Sequence, residues 1–250
     1  MRNKKIDWHK VIGHFVFFSL ALSFVFLAIR IVLAPAEADT SMTYVSVKGD
    51  YVLMMVQCLL GIVAMMLPDI LKRRINLSIP SNMLILYAIF LYCAIFLGEV
   101  RSYYYIIPHW DTILHAFSGG MLGALGYSFV TILNKSDNIP MNLSPLFVAV
   151  FSFCFALTMG VFWEIYEFSF DGILGLNMQK FMLEDGTALI GRNALQDTLK
   201  DLIVDGIGAF VMSFIGYISL KYKMGWVEKL QVTIAKHNDK KMHENNEKII

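Results

Sequence analysis

Residues 145–171 read PLFVAVFSFCFALTMGVFWEIYEFSFD, an apolar run long enough to cross a bilayer that carries Glu164, Glu167 and Asp171 toward its end. A bilayer core takes roughly 20 apolar residues in a helix. A charged side chain near its middle costs at least ~2.5–3.5 kcal/mol, so acids placed there face a polar cavity, a metal or a proton path. Two other segments repeat the pattern: Asp111-x3-His115, and Asp197-x3-Asp201-x3-Asp205.

The chain around these segments has 250 residues, 57% of them hydrophobic and 16% charged. That leaves too little polar surface to cover a soluble core. A net charge of +1 argues against a nucleic-acid partner. Cys58, Cys93 and Cys154 lie singly within apolar runs, so neither a disulfide framework nor a zinc motif is indicated. The class is an all-α polytopic membrane helix bundle.

Six transmembrane helices are expected, at about 11–33, 51–70, 82–105, 112–133, 145–169 and 198–220. Glu99 and Arg101 interrupt the third, which either runs to Tyr105 or ends near Gly98 with Tyr103, Tyr104 and Tyr105 at the interface. Arg2, Lys4, Lys5 and Lys10 precede the first span, Lys72, Arg73 and Arg74 follow the second, and Lys135 follows the fourth. Seven lysines from Lys221 to Lys248 follow the sixth. The opposite side holds only Arg30, Lys48, Arg101, Lys180 and Arg192, so both termini are expected in the cytoplasm. Ala34-Pro35-Ala36-Glu37-Ala38 imitates a signal-peptide cleavage site, but the apolar run before it exceeds the usual ~7–15 residues and predicts an uncleaved helix. Residues 1–221 thus form one transmembrane domain and 222–250 a cytoplasmic Lys-rich tail. Trp226, Leu230 and Ile234 are spaced for a helix resting on the inner surface, or for a solvated tail.

Asp111 and His115 fall at the outer start of span four, and Glu164, Glu167 and Asp171 at the outer end of span five. Asp197, Asp201 and Asp205 fall at the outer start of span six, and Glu99 at the outer end of span three. All lie in the outer half of the bundle, which predicts one shared site. Spacings of i, i+3, i+4 and i+7 put each set on one helical face. Asp205 should lie roughly 12 Å deeper than Asp197, making a funnel that opens outward. Gly119, Gly120, Gly123, Gly126, Gly206, Gly208, Ala209 and Ser213 should let spans four and six approach closely.

Simpler roles exist for some of these acids. Asp111 and Asp197 each begin a helix, where Asp is a favoured cap. Asp171 and Glu99 fall at the water interface. For the deeper set no cation sits at comparable depth except Lys200, on another face from Asp201. Crowded carboxylates must protonate or bind a cation. Carboxylates with one imidazole suit Mg²⁺, Mn²⁺ or Ca²⁺ better than Zn²⁺. The expected ligands are Asp111, His115, Glu164 and Asp201, with Asp197 and Asp205 supporting them or holding a second metal. Glu167 or His115 would act as general base toward a bound water. His109 could reach the rim, and Trp163 reads as packing or an interface anchor. Arg30, Arg101 and Arg192 lie on the outer side, where they could clamp a phosphate or simply snorkel. The loop of about 28 residues between spans five and six is long enough to form a lid.

Trp110-Asp111-x3-His115-x3-Gly119, Phe162-Trp163-Glu164-x-x-Glu167 and Asp197-Thr198-x-x-Asp201, followed by Gly208-Ala209, resemble the YjdF-like bacterial inner-membrane proteins, a family without assigned function. The chain is more loosely similar to VanZ-like membrane proteins, with Asp205 and Glu167 where that family tends to have Asn and Gln. The resemblance implies a multi-pass protein of the bacterial plasma membrane. Three functions fit the residues. One is a metal-dependent hydrolase or transferase acting on a lipid-linked phosphate or envelope substrate at the outer leaflet. Another is a cation or proton transporter using the same carboxylates. The third is a non-catalytic assembly protein with a structural polar or metal site.

Overall fold

The computed structural model describes residues 7–35, 48–134, 143–183 and 187–234. Arg2, Lys4, Lys5, Lys135, the stretch from Ala36 to Ala38 and the lysines beyond Ile234 lie outside them. Among the described residues six long apolar spans form the bundle, as the hydropathy pattern predicts, the third of them, Ser81–Val100, including a helix and the stretch that continues it. Their helices are α1 (Trp8–Leu33), α2 (Lys48–Ile75), α3 (Ser81–Leu91), α5 (Trp110–Asn134), α6 (Pro145–Leu174) and α7 (Gln196–Lys221), with α4 (Tyr103–Ile106) a single turn. Local signals fix the ends of α6. The Ser144 hydroxyl accepts from the Phe147 N–H at 3.2 Å and Pro145 opens the first turn. Gly175 then closes it in the left-handed conformation, φ 67°.

The third span ends near Gly98, as one of the two sequence expectations has it, but with a widened helix and without all three tyrosines at the surface. After Leu91 the backbone widens into a π-helical stretch, Tyr92–Val100, in which the Arg101 N–H still reaches the Phe96 carbonyl five residues back. The helix stops there because Ser102 turns left-handed at φ 59°. Of the three tyrosines only Tyr105 is exposed; Tyr104 folds back over Gly98, where a Cβ would collide with its ring. Trp110 then anchors the start of α5, its indole N–H donating to the Cys93 carbonyl at 3.2 Å.

The helices form two triads. Val16, Leu20 and Leu27 of α1 pack with Cys58 of α2 and Ala88 of α3. The other triad is α5, α6 and α7, centred on Tyr127, Val130 and Val148. Large apolar side chains such as Leu22, Val32, Phe168 and Phe210 point outward, as a bilayer requires and water would penalise.

The expected close approach of spans four and six involves part of the small-residue set. A Cβ on Gly119 would come within 2.5 Å of the Asp205 carbonyl oxygen, and one on Gly208 would strike the Ala116 carbonyl. Gly123 lies against Met212 and Ala209. Gly126 instead faces Ser152 and Phe155 of α6, while Gly120 and Gly206 meet nothing closer than 3.8 Å.

The tail is neither an interfacial helix nor simply solvated over its described part. Thr233–Ile234 (β2) pairs antiparallel with Leu77–Ser78 (β1), which follows α2. Val227, Gln231 and Val232 are buried, and the Val232 N–H donates to Ser128 Oγ at 3.0 Å. The domain boundary expected at residue 222 therefore does not separate these residues from the bundle.

Backbone blocks the space at Gly119, so Gly119→Ala should force α5 and α7 apart and destabilise the protein by about 1–3 kcal/mol. Gly206→Ala, where a Cβ meets only the Leu157 side chain at 3.8 Å, should be neutral or slightly stabilising. Thermal unfolding of the two variants in one detergent measures the contrast; equal melting would contradict this packing.

Candidate metal centre

His115 organises the acidic end of the bundle. It is buried at 7% exposure on α5, one turn beyond Asp111. Its Nδ1 lies 3.3 Å from Asp205 Oδ2. Toward an ionised carboxylate Nδ1 must donate, so in the neutral imidazole it is the Nε2 lone pair that faces the other way. There Nε2 meets Asp111 Oδ1 at 3.7 Å and Asp201 Oδ2 at 4.0 Å. Ligand atoms of Asp111, His115 and Asp201 all lie within 4.8 Å of one another, close enough to share one metal ion. The packing places Asp205 behind the histidine: a Cβ on Gly160 would reach its Oδ2 at 2.6 Å, and Ser118 Oγ donates to its other oxygen at 3.3 Å.

Each expected ligand can now be placed. Asp111, His115 and Asp201 come together as one candidate set. Asp205 orients the imidazole, the role a carboxylate plays behind a metal-bound histidine. Glu164 is buried nearby on α6; Gln179 Nε2 donates to its Oε2 at 3.4 Å, and its Oε1 has no hydrogen-bond partner. Asp201 Oδ1 is likewise buried without one. Buried carboxylate oxygens left without a donor are rare unless something else supplies positive charge. Glu167 accepts from the Trp163 indole at 2.9 Å, which gives Trp163 a task beyond anchoring. Asp197 stands apart from the histidine, and neither it nor Asp111 occupies a cap position: α5 begins at Trp110 and the residue before α7 is Leu195.

The loop brings in a cation that reading along the helices overlooked. Lys180 Nζ pairs with Asp111 Oδ2 and with both oxygens of Asp197 at 3.2 Å. Burial alone would lower the Lys180 pKa, but Asp111, Asp197 and Asp201 more than reverse this and raise it above the ordinary lysine range. Lys200 adds only a field at Asp197. Arg101 and Arg192 are exposed, and Arg30 donates to the Tyr51 hydroxyl at 2.6 Å with its guanidinium over that ring. None of the three arginines is brought to the cluster.

Asp171 is a buried anchor of this loop, not the solvated acid its position suggested. Its two oxygens accept the Met178 and Gln179 N–H groups at 2.8 and 3.0 Å. Asn177 clamps Met182 through both its amide groups, at 2.8 and 2.9 Å, and Gln179 Nε2 reaches Thr198 Oγ1 at 2.9 Å. Residues 177–182 therefore lie over the acids, as the loop length allowed; Glu184 to Gly186 fall outside the described residues. Glu99 too is not simply solvated, since it is half-buried and accepts from Gln57. Tyr104 was overlooked as well. Burial first, then Glu99, Asp111 and Glu167, push its phenol well above its ordinary pKa. His109 stays exposed in its loop.

Residues 12–222 match a family described as predicted membrane protein (DUF2238). An uncharacterised protein of Thermotoga maritima is 28% identical over 164 residues, which cover 64% of this chain and 74% of that protein. No solved structure matches. The likeness to VanZ-like proteins finds no support in these matches.

Two charge-assisted bonds at Asp171 hold the loop, each worth about 1.5–3 kcal/mol. Asp171→Ala should release about 3 kcal/mol of local protection, roughly 100-fold faster exchange of the Met178 and Gln179 amides by hydrogen–deuterium exchange. Ser169→Ala, an exposed hydroxyl bonded to its own helix, is the control and should change neither amide.

Proposed function

The chain belongs to the DUF2238 family of predicted membrane proteins, and from that premise we propose that it is a divalent-metal-dependent enzyme of the bacterial plasma membrane. The reaction is hydrolysis or group transfer on a lipid-linked or envelope substrate at the outer leaflet. The observation that carries this reading is the setting of His115, with Asp205 behind Nδ1 and Asp111 and Asp201 before Nε2.

Asp111, His115 and Asp201 would hold the metal, and one imidazole among hard oxygens favours Mg²⁺ or Mn²⁺ over Zn²⁺. Bound there, an ion would supply Lewis-acid polarisation and make a nearby water more acidic. Asp205 keeps the imidazole in one tautomer and one orientation. Glu167, positioned by the Trp163 indole, accepts a proton from the attacking hydroxyl group. Ile113 and Phe168, close in sequence to Asp111 and Glu167, are exposed on the bilayer-facing surface and support a substrate that arrives from the lipid.

Catalysis is favoured over transport by what lies below Asp205. Ser128, Thr131 and Ser152 each donate to the carbonyl four residues back, at 2.9, 2.8 and 2.7 Å. Those three hydroxyls are satisfied by their own helices, and the buried Ser213 hydroxyl, which has no hydrogen-bond partner among the described residues, is left as a thin route for an ion or proton.

Titration of the detergent-purified protein with Mn²⁺ and Mg²⁺ tests the reading. Wild type should bind one ion per chain. His115→Ala and Asp201→Asn should lose it while staying folded, and Asp205→Asn should weaken it by about 10–100-fold. Glu167→Gln should retain the metal and lose about 100-fold or more of the turnover of lipid-linked phosphates. No divalent binding by the wild type overturns the reading. Metal loss that unfolds the protein, without any turnover, would make the site structural.

A further inference from the structure

We infer that Lys180 is the second cation of a two-cation centre, a tethered ammonium standing where a binuclear site would hold its second metal. This rests on the metal reading above. Its support is the way Asp111 divides its carboxylate. Oδ2 pairs with Lys180 Nζ, while Oδ1 faces His115 Nε2 at 3.7 Å on the side of the metal position. Asp111 is therefore a bridge between two places for positive charge, as carboxylates are in paired-metal sites.

Among the described residues the far side of the ammonium is served by Asp197, whose two oxygens both lie 3.2 Å from Nζ. Three oxygens from two carboxylates around one point charge form a hard-oxygen nest of the kind Mg²⁺ or Mn²⁺ accepts. Without the lysine, Asp111 and Asp197 would face each other unneutralised, which favours capture of a cation.

The lysine is also delivered there by construction. Its own backbone is left-handed, φ 50°, a conformation that lysine rarely adopts and that surrounding contacts must hold. Those contacts are the Asp171 carboxylate on Met178 and Gln179, the Asn177 clamp on Met182 and the Gln179 bridge to Thr198. With its side chain 39% exposed, Lys180 has water within reach, yet its ammonium lies on the carboxylates. A lysine contributes one charge that never dissociates and no Lewis acidity, so the centre is a one-metal site with a permanent partner.

Metal stoichiometry of the full-length protein in detergent, with Mn²⁺ as the probe, tests this directly. Wild type and Lys180→Arg should bind one ion. Lys180→Ala should bind two, and the neighbouring ions should show the dipolar broadening of a manganese pair in electron paramagnetic resonance. Adding Asp197→Asn to Lys180→Ala should return the count to one. Lys180→Ala that still binds a single ion with wild-type affinity overturns the inference, as does a wild type that binds two; both leave the metal reading standing. A wild type that binds none removes the metal reading and this inference together. Should Lys180→Ala fail to fold, Asp197→Asn alone decides: it should keep one ion, because Asp197 serves only the ammonium, and loss of that ion overturns the inference.

Discussion

Carboxylates in a low-dielectric bundle must be neutralised, and the rest of this structure is arranged around how that is done. Asp111, Glu164, Glu167, Asp197, Asp201 and Asp205 lie at one end, and among the described residues the basic side chains that touch them are His115 and Lys180. One lysine, and an imidazole that is charged only when both its nitrogens are protonated, against six acids leave an excess of negative charge that only protons or a bound metal can offset. The imidazole is central because it touches three of the acids at once. It can do so only because α5 and α7 approach backbone to backbone at Gly119 and Gly208, which sets Asp205 directly behind the ring.

The same logic explains the division of labour among the helices. The α5–α7 triad supplies the acids and the histidine, and its glycines trade side-chain packing for closeness. The α1–α3 triad is a conventional apolar cluster that contributes one acid, Glu99, from a stretch of widened helix. Widened turns of this kind recur where a helix must redirect a side chain toward a site. Here the stretch also ends the span early, so Tyr104 can turn back toward Glu99, Asp111 and Glu167.

Much of this was legible in the sequence, and what was not has definite causes. Apolar length gave the six spans, and helical spacing put Asp111 with His115, Glu164 with Glu167 and Asp201 with Asp205 each on one helical face, which pointed to one shared site without fixing that the faces meet. Spacing defines a face but not the partner across it, so Asp205 read as a support for the ligands or a second-metal position, and only the fold sets its Oδ2 3.3 Å from His115 Nδ1. Lys180 was invisible in that sense: a loop lysine at positive φ carries no periodic signal, and its nearness to Asp111 across 69 positions is purely tertiary. Asp171 looked solvated because it sits in the last turns of α6, and only the returning loop buries it. The tail carried helical spacing at Trp226, Leu230 and Ile234, but pairing with the segment after α2 overrode that local preference.

That pairing has a mechanical meaning. Leu77–Ser78 belongs to the segment joining the first triad together, and Thr233–Ile234 is the continuation of α7, so a two-stranded ribbon stitches the two triads at the end opposite the acids. A body stitched at one end behaves like a clothes-peg. Its halves part most readily at the acidic end, where the Trp110 indole on the Cys93 carbonyl bridges the seam. Whatever loosens this bundle therefore first draws Glu99 of the first triad away from the acids of the second and separates the stitched end last.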